Sequence, residues 1–185
     1  MKRGLQCLVA IIVLFLGMPS YSGTASEVLN TVSPALVMIQ ADNEIKNTRN
    51  KGSGVVVDTD LVATNCHVIE DAEQIWVIYK EKEYPAKVQY ADWDRDVCTL
   101  SVRGINARAI VRGNTNDLKA GSRIYTVKTR IGLQLTPLTE GVILAVRPVD
   151  GGKFLQISTP VLPGSSGGGL FDEEGRLIGL ASYYL

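Results

Sequence analysis

Pro163-Gly164-Ser165-Ser166-Gly167-Gly168-Gly169-Leu170 lies near the end of this 185-residue chain. Residues this small cannot fill a core. Glycine reaches backbone conformations closed to other residues and lets a second segment come close. A serine in such a run presents its hydroxyl beside backbone N–H groups that no side chain covers. A serine nucleophile with an oxyanion hole needs that combination of an attacking oxygen and fixed donors aimed at developing charge. Taken alone, the same run also fits a flexible surface turn.

A serine hydroxyl is a weak nucleophile until a base takes its proton. The chain has one histidine, His67, in Leu61-Val-Ala-Thr-Asn-Cys-His-Val-Ile69. If an imidazole is the base, it is this one; a lone histidine beside an apolar strand also fits a structural role. The candidate for the group that orients it is Asp96, in Asp94-Arg-Asp-Val-Cys-Thr-Leu100, with Asp92 and Asp94 as rivals. Asp96 directly precedes an apolar run, where a carboxylate can be both buried and aimed.

Chain order separates two architectures. Gly164-x-Ser166-x-Gly168 fits the nucleophile elbow of α/β-hydrolases. In that fold the acid and the histidine follow the serine, and no histidine follows Ser166. The order His67, Asp96, Ser166 is that of chymotrypsin-like proteases.

The chain resembles the trypsin-like serine peptidases, most closely their bacterial HtrA-like branch. The resemblance rests on Gly52-Ser-Gly-Val-Val-Val57, Ala63-Thr-Asn-Cys-His-Val68, Asp94-Arg-Asp-Val-Cys98 and Pro163-Gly-Ser-Ser-Gly-Gly168, in that order and spacing. Gly141-Val-Ile143 and Gly175-Arg-Leu-Ile-Gly179 look like second-barrel strands, and the likeness runs from about Pro34 to the end. It implies an all-β fold of two antiparallel barrels of the six-stranded type with a cleft between them. The first would span about 34–103 and the second about 109–185, with the boundary near Arg103–Arg108. His67 and Asp96 would come from the first and Ser166 from the second. The sequence ends at Leu185, where relatives continue through a further loop, strand and helix, so either the second barrel is shortened or the sequence is a fragment. No appended PDZ domain is expected.

The resemblance also assigns roles. The glycine pair after the reactive serine favours Ser166 over Ser165, and the Asp-Val-Cys-Thr-Leu run favours Asp96. Ser166 would attack, His67 would take its proton, and the N–H groups of Gly164 and Ser166 would form the oxyanion hole. Thr159, Pro160 and Val161 would form part of the primary-pocket wall. The segment before the serine has no Asp or Glu, so small or medium apolar side chains are the expected preference. Cys66 and Cys98 flank the proposed histidine and acid; a disulfide between them is expected in an oxidising compartment, with two buried free thiols as the alternative.

Lys2 and Arg3 precede the apolar run Leu5–Leu16, followed by Gly17, Pro19 and small residues. That is the layout of a secretory signal peptide, placed at residues 1–25, with cleavage after Ser22 or Ala25. The run is short for a membrane span, which needs about 20 residues. A secreted or periplasmic peptidase domain over 26–185 is expected, with no stable membrane insertion after cleavage. Lys and Arg number 19 and Asp and Glu 19, and no basic stripe points to nucleic acid. Polypeptides are the expected partners; no cofactor and no metal are implied, since one His and two Cys outside the leader match no zinc spacing.

Short β-branched or aromatic runs fit an antiparallel barrel or sandwich. Strands are expected at Leu36–Ile39, Val55–Val57, Leu61–Ala63, Ile75–Tyr79, Tyr84–Tyr90, Val97–Val102, Ala109–Val111, Arg123–Val127, Leu133–Pro137, Thr139–Val146, Phe154–Ser158 and Arg176–Tyr184, with a short helix over 27–33. Lys46, Arg49 and Lys51 read as a solvated loop. Three other functions share these residues: an inactive peptide-binding pseudoprotease, an esterase or acyltransferase, and a membrane-tethered protease.

Overall fold

The computed structural model describes residues 24–127, 138–162 and 164–182. Nearly all of the expected signal peptide, the expected strand Leu133–Pro137, Pro163 and Tyr183–Leu185 lie outside these residues.

The described chain opens with α1, Ala25–Val32, started by a capping box. Thr24 Oγ1 accepts the Glu27 N–H, and Glu27 Oε2 accepts the Thr24 N–H at 2.7 Å. Two otherwise orphaned donors are thereby satisfied. Val28 and Val32, four residues apart on one face, are buried, and a 3-10 turn containing Pro34 ends the helix.

Six strands follow: β1 (Leu36–Asn43), β2 (Thr48–Asp58), β3 (Leu61–Thr64), β4 (Gln74–Tyr79), β5 (Lys82–Asp92) and β6 (Val97–Val102). They close an antiparallel barrel in the order β1-β2-β3-β6-β5-β4. A 3-10 turn, Cys66–Ile69, stands between β3 and β4 and carries His67. After a long connection come β7 (Arg123–Thr126), β8 (Thr139–Val149), β9 (Gly152–Ile157), β10 (Gly169–Phe171) and β11 (Leu177–Leu180). Among the described residues these form a five-stranded antiparallel sheet, β11-β10-β7-β8-β9. The two units have the architecture of the chymotrypsin-like fold, the second sheet being curled and, among the described residues, not closed.

Alternation along strands joins the two units. In β7, Ile124 faces the smaller core with Ile143, Leu170 and Ile178. Its neighbour Tyr125 faces the larger core with Val56, Val62 and Leu100. Leu170 and Phe171 divide in the same way, as successive side chains on a strand must. The larger core thus takes residues from both units and fixes the barrel against the sheet that carries the glycine-rich turn.

Several strands differ from expectation. β2 begins at Thr48, because four exposed residues pair with β1 ahead of the buried run. Arg49 and Lys51 therefore stand on a strand, and Arg49 Nε donates to Asp42 Oδ1 at 2.7 Å. β5 begins at Lys82 because Lys80 and Glu81, both at positive φ, make the turn. Ala109–Val111 is not a strand: Ile110 is buried and donates to the Val56 carbonyl, while Arg112 bridges Leu177. β10 lies within the glycine run, where no strand was expected.

Candidate active site

β3 ends at Thr64 and the chain turns at once into Cys66–Ile69, setting His67 at the mouth of the barrel. Asp96 occupies the turn from β5 to β6 with φ +56, a left-handed conformation that Asp tolerates better than most residues. Its carboxylate receives three donors. His67 Nδ1 lies 2.7 Å from Oδ2, the His67 backbone N–H donates to Oδ1 at 2.9 Å, and Ser182 Oγ donates to Oδ2 at 2.7 Å. With Asp96 accepting, the hydrogen at Nδ1 leaves Nε2 as the basic nitrogen of the neutral ring.

The rival acids stand elsewhere. Asp94 is exposed. Asp92 accepts from the Arg95 guanidinium and from the Arg95 N–H at 3.0 Å. Its hydrogen bond with that guanidinium holds the Asp92 carboxyl below its ordinary range. Arg95 Nε also donates to the Asp150 carbonyl at 2.7 Å, tying the acid-bearing turn to the β8–β9 hairpin.

Ser166 is 8% exposed and sits on a turn fastened to β2. The Ser53 N–H donates to the Ser166 carbonyl at 2.8 Å, and Ser53 Oγ donates to the Gly164 carbonyl at 2.9 Å. Gly164 and Gly167 have φ of +84 and +81. A Cβ on Gly167 would lie 2.1 Å from the Ser53 carbonyl, so only glycine fits. A Cβ on Gly52 would lie 2.6 Å from Val68 Cγ1 and 3.0 Å from the Ser166 carbonyl. The Ser166 backbone therefore passes beside the turn that holds His67. Among the described residues, no hydrogen bond joins Ser166 Oγ to His67, and neither the Gly164 nor the Ser166 N–H finds an acceptor in the protein. Catalytic hydrogen bonds are often long before substrate binds.

Cys66 and Cys98 form a disulfide between the His67 turn and β6. Sequence reasoning passed over Asn65, Ser53 and Ser182. Asn65 Nδ2 donates to the Asp96 carbonyl at 2.7 Å, and its Oδ1 accepts the Gly167 N–H at 2.5 Å. Asn65 stands two residues before the histidine, and nothing in its local sequence marks partners 31 and 102 residues away.

A cavity of about 650 Å³ lies between β9 and β11 and reaches Asn65 and Ser182. Val161 lines it, together with Leu155, Ile157 and Leu180, whereas Thr159 is buried and Pro160 exposed outside that lining. Its charged lining residues are Arg95, Arg147 and Lys153, with no carboxylate among them. Among the described residues no group of three or more His, Cys, Asp or Glu could hold a metal ion, and no helix is long and apolar enough to cross a membrane.

A family profile described as trypsin-like peptidase domain matches residues 52–180. A probable periplasmic serine endoprotease, DegP-like, from Halomonas elongata is 33% identical over 148 residues, covering 77% of this chain and 31% of that protein. A protein of the same description from Chlamydia muridarum is 34% identical over 137 residues, 70% of this chain and 27% of its own length. The chain thus spans about a third of these relatives. Among solved structures, the HtrA-type protease AlgW with tripeptide aligns at TM-score 0.75 and 26% identity, covering 85% of this chain and 53% of its own. A serine endoprotease from Yersinia pestis aligns at TM-score 0.72 and 28% identity, covering 85% and 56%.

Proposed function

The chain belongs to the trypsin-like peptidase family, and on that premise we propose that it is a periplasmic or secreted serine endopeptidase acting through His67, Asp96 and Ser166. The observation that carries this is the 2.7 Å pairing of His67 Nδ1 with Asp96 Oδ2, on a turn packed beside the Ser166 backbone.

Ser166 Oγ attacks the carbonyl carbon of the scissile peptide bond while His67 Nε2 takes the hydroxyl proton. Asp96 holds the ring and stabilises the imidazolium. The carbonyl electron pair moves onto oxygen, facing the N–H groups of Gly164 and Ser166. Losing one such donor costs on the order of 10²-fold in turnover. Collapse breaks the C–N bond, His67 gives its proton to the leaving amine, and an acyl-enzyme remains. Water, activated by His67, repeats the sequence and releases the acid.

Residues 1–25 are proposed to hold the export signal. Cleavage after Ser22 leaves the Thr24–Glu27 capping box of α1 intact, whereas cleavage after Ala25 removes Thr24. The intact mass of the exported protein distinguishes a start at Gly23 from one at Ser26.

Polypeptides are the proposed substrates; the solved AlgW relative carries a tripeptide. Residues 157–163, before the reactive serine, carry no carboxylate, which disfavours a substrate Lys or Arg, whose burial needs an opposite charge. Digestion of a peptide library, with Ser166→Ala as the blank, tests both points. The expected result is cleavage after small or medium apolar residues. Cleavage after Lys or Arg would contradict this preference, and equal cleavage by the blank would contradict the mechanism.

A further inference from the structure

We propose that Asn65 is a positioning residue that couples the Asp96 turn to the Ser166 turn, a role that rests on the peptidase assignments above. Asn is a favoured N-cap residue, and Asn65 occupies the N-cap of Cys66–Ile69 without capping it. Its amide is spent across the interface between barrel and sheet. Nδ2 donates to the Asp96 carbonyl and Oδ1 accepts from the Gly167 N–H, so a single amide orientation satisfies both ends.

The two backbones it grips are both left-handed, Asp96 at φ +56 and Gly167 at φ +81. A strained residue persists only where its surroundings over-determine it. The surroundings here form a closed circuit. The Gly167 N–H also reaches the Ala181 carbonyl at 3.0 Å, and the Ala181 N–H donates to the Gly168 carbonyl at 2.7 Å. Ser182, next in the chain, returns to Asp96 Oδ2. Asn65 is the side chain that joins the acid's backbone to the amide directly after Ser166.

Removing it frees both ends together. Asp96 loses the donor on its carbonyl and can leave the left-handed region, carrying its carboxylate away from His67. Gly167 loses an acceptor, and the neighbouring Ser166 N–H loses its aim. Both losses fall on the transition state rather than on substrate binding, so kcat falls while KM holds.

The test compares Asn65→Ala with Val62→Ala, a truncation of a fully buried core residue in the same strand region. Asn65→Ala is expected to lower kcat on the order of 30-fold or more, since small misplacements in an active site can cost about 10²-fold, with KM within about twofold. Val62→Ala is expected to lower the melting temperature while keeping kcat within about twofold at low temperature. In a Ser166→Ala background, Asn65→Ala is expected to speed amide exchange at Gly167 and to shift the Asp96 amide resonance, and Val62→Ala to do neither. Asn65→Ala behaving like Val62→Ala in both kcat and Gly167 exchange overturns the coupling. An inactive wild type contradicts the peptidase roles alone, and the exchange comparison then decides the coupling by itself.

Discussion

Ser182 Oγ donates to Asp96 Oδ2 at 2.7 Å, the same oxygen that faces His67 Nδ1. A hydroxyl just past β11 thus completes the shell of a carboxylate in the first barrel. A hydrogen bond to a charged group contributes about 1.5–3 kcal/mol net. Ser182→Ala removes one donor of three and is expected to lower kcat/KM on the order of tenfold. Ser182→Thr, which keeps a hydroxyl, is expected to retain most of the activity. Steady-state kinetics on a cleaved peptide reads both.

Two glycines at positive φ separate strain from contact. A Cβ on Gly167 would meet the Ser53 carbonyl at 2.1 Å and Thr64 Oγ1 at 2.3 Å, whereas nothing lies within 4 Å of one on Gly104, at φ +75. Gly104→Ala is expected to cost only left-handed strain, roughly 1–2 kcal/mol, and to keep activity. Gly167→Ala must displace the Ser166 turn and is expected to abolish it. Thermal melts and peptide hydrolysis on the pair measure the difference.

The Cys66–Cys98 disulfide closes a sequence separation of 32 residues across the His67 turn. Such a link typically stabilises by about 2–4 kcal/mol. Reductant is expected to lower the melting temperature of the wild type and to leave a Cys66→Ala, Cys98→Ala double variant unchanged. An equal response in both would show that the bridge contributes nothing.

Acid stability carries a signature of the Asp92–Arg95 pair on the β5–β6 turn. The hydrogen bond from Arg95 holds the Asp92 carboxyl below its ordinary value of 3.8. A carboxylate depressed in the folded state stabilises the fold above its unfolded pKa, and that contribution fades as pH falls through the folded one. Asp92→Asn is therefore expected to be less stable than wild type at neutral pH, with the gap closing below the ordinary carboxylate range. A gap unchanged down to strong acid would contradict the pairing.

The parts of the fold carried by short β-branched or aromatic runs were legible in the sequence. Leu61–Ala63 and Val97–Val102 stand close to where their patterns place them. The misses have physical causes. Lys80 and Glu81 turn at positive φ without the Asn-Gly signal that such turns favour. Thr48–Lys51 pairs through backbone while its side chains face solvent, so no alternation marks it. Ile110 is apolar because it packs on the barrel core, not because it belongs to a strand. His67 stands out as the chain's one histidine, Ser166 by the glycine run around it, and Asp96 by the family resemblance of the run it opens. Asn65, Ser53 and Ser182 do not stand out, because their partners lie far away in sequence and polar residues of these types are common.

The most direct test of an activated serine is covalent labelling of the mature protein with a fluorophosphonate probe, beside Ser166→Ala and His67→Ala. The expected result is stoichiometric labelling of the wild type and none of either variant. A folded wild type that takes up no label, or label that persists in Ser166→Ala, would contradict the assignment of Ser166 as the nucleophile and His67 as its base.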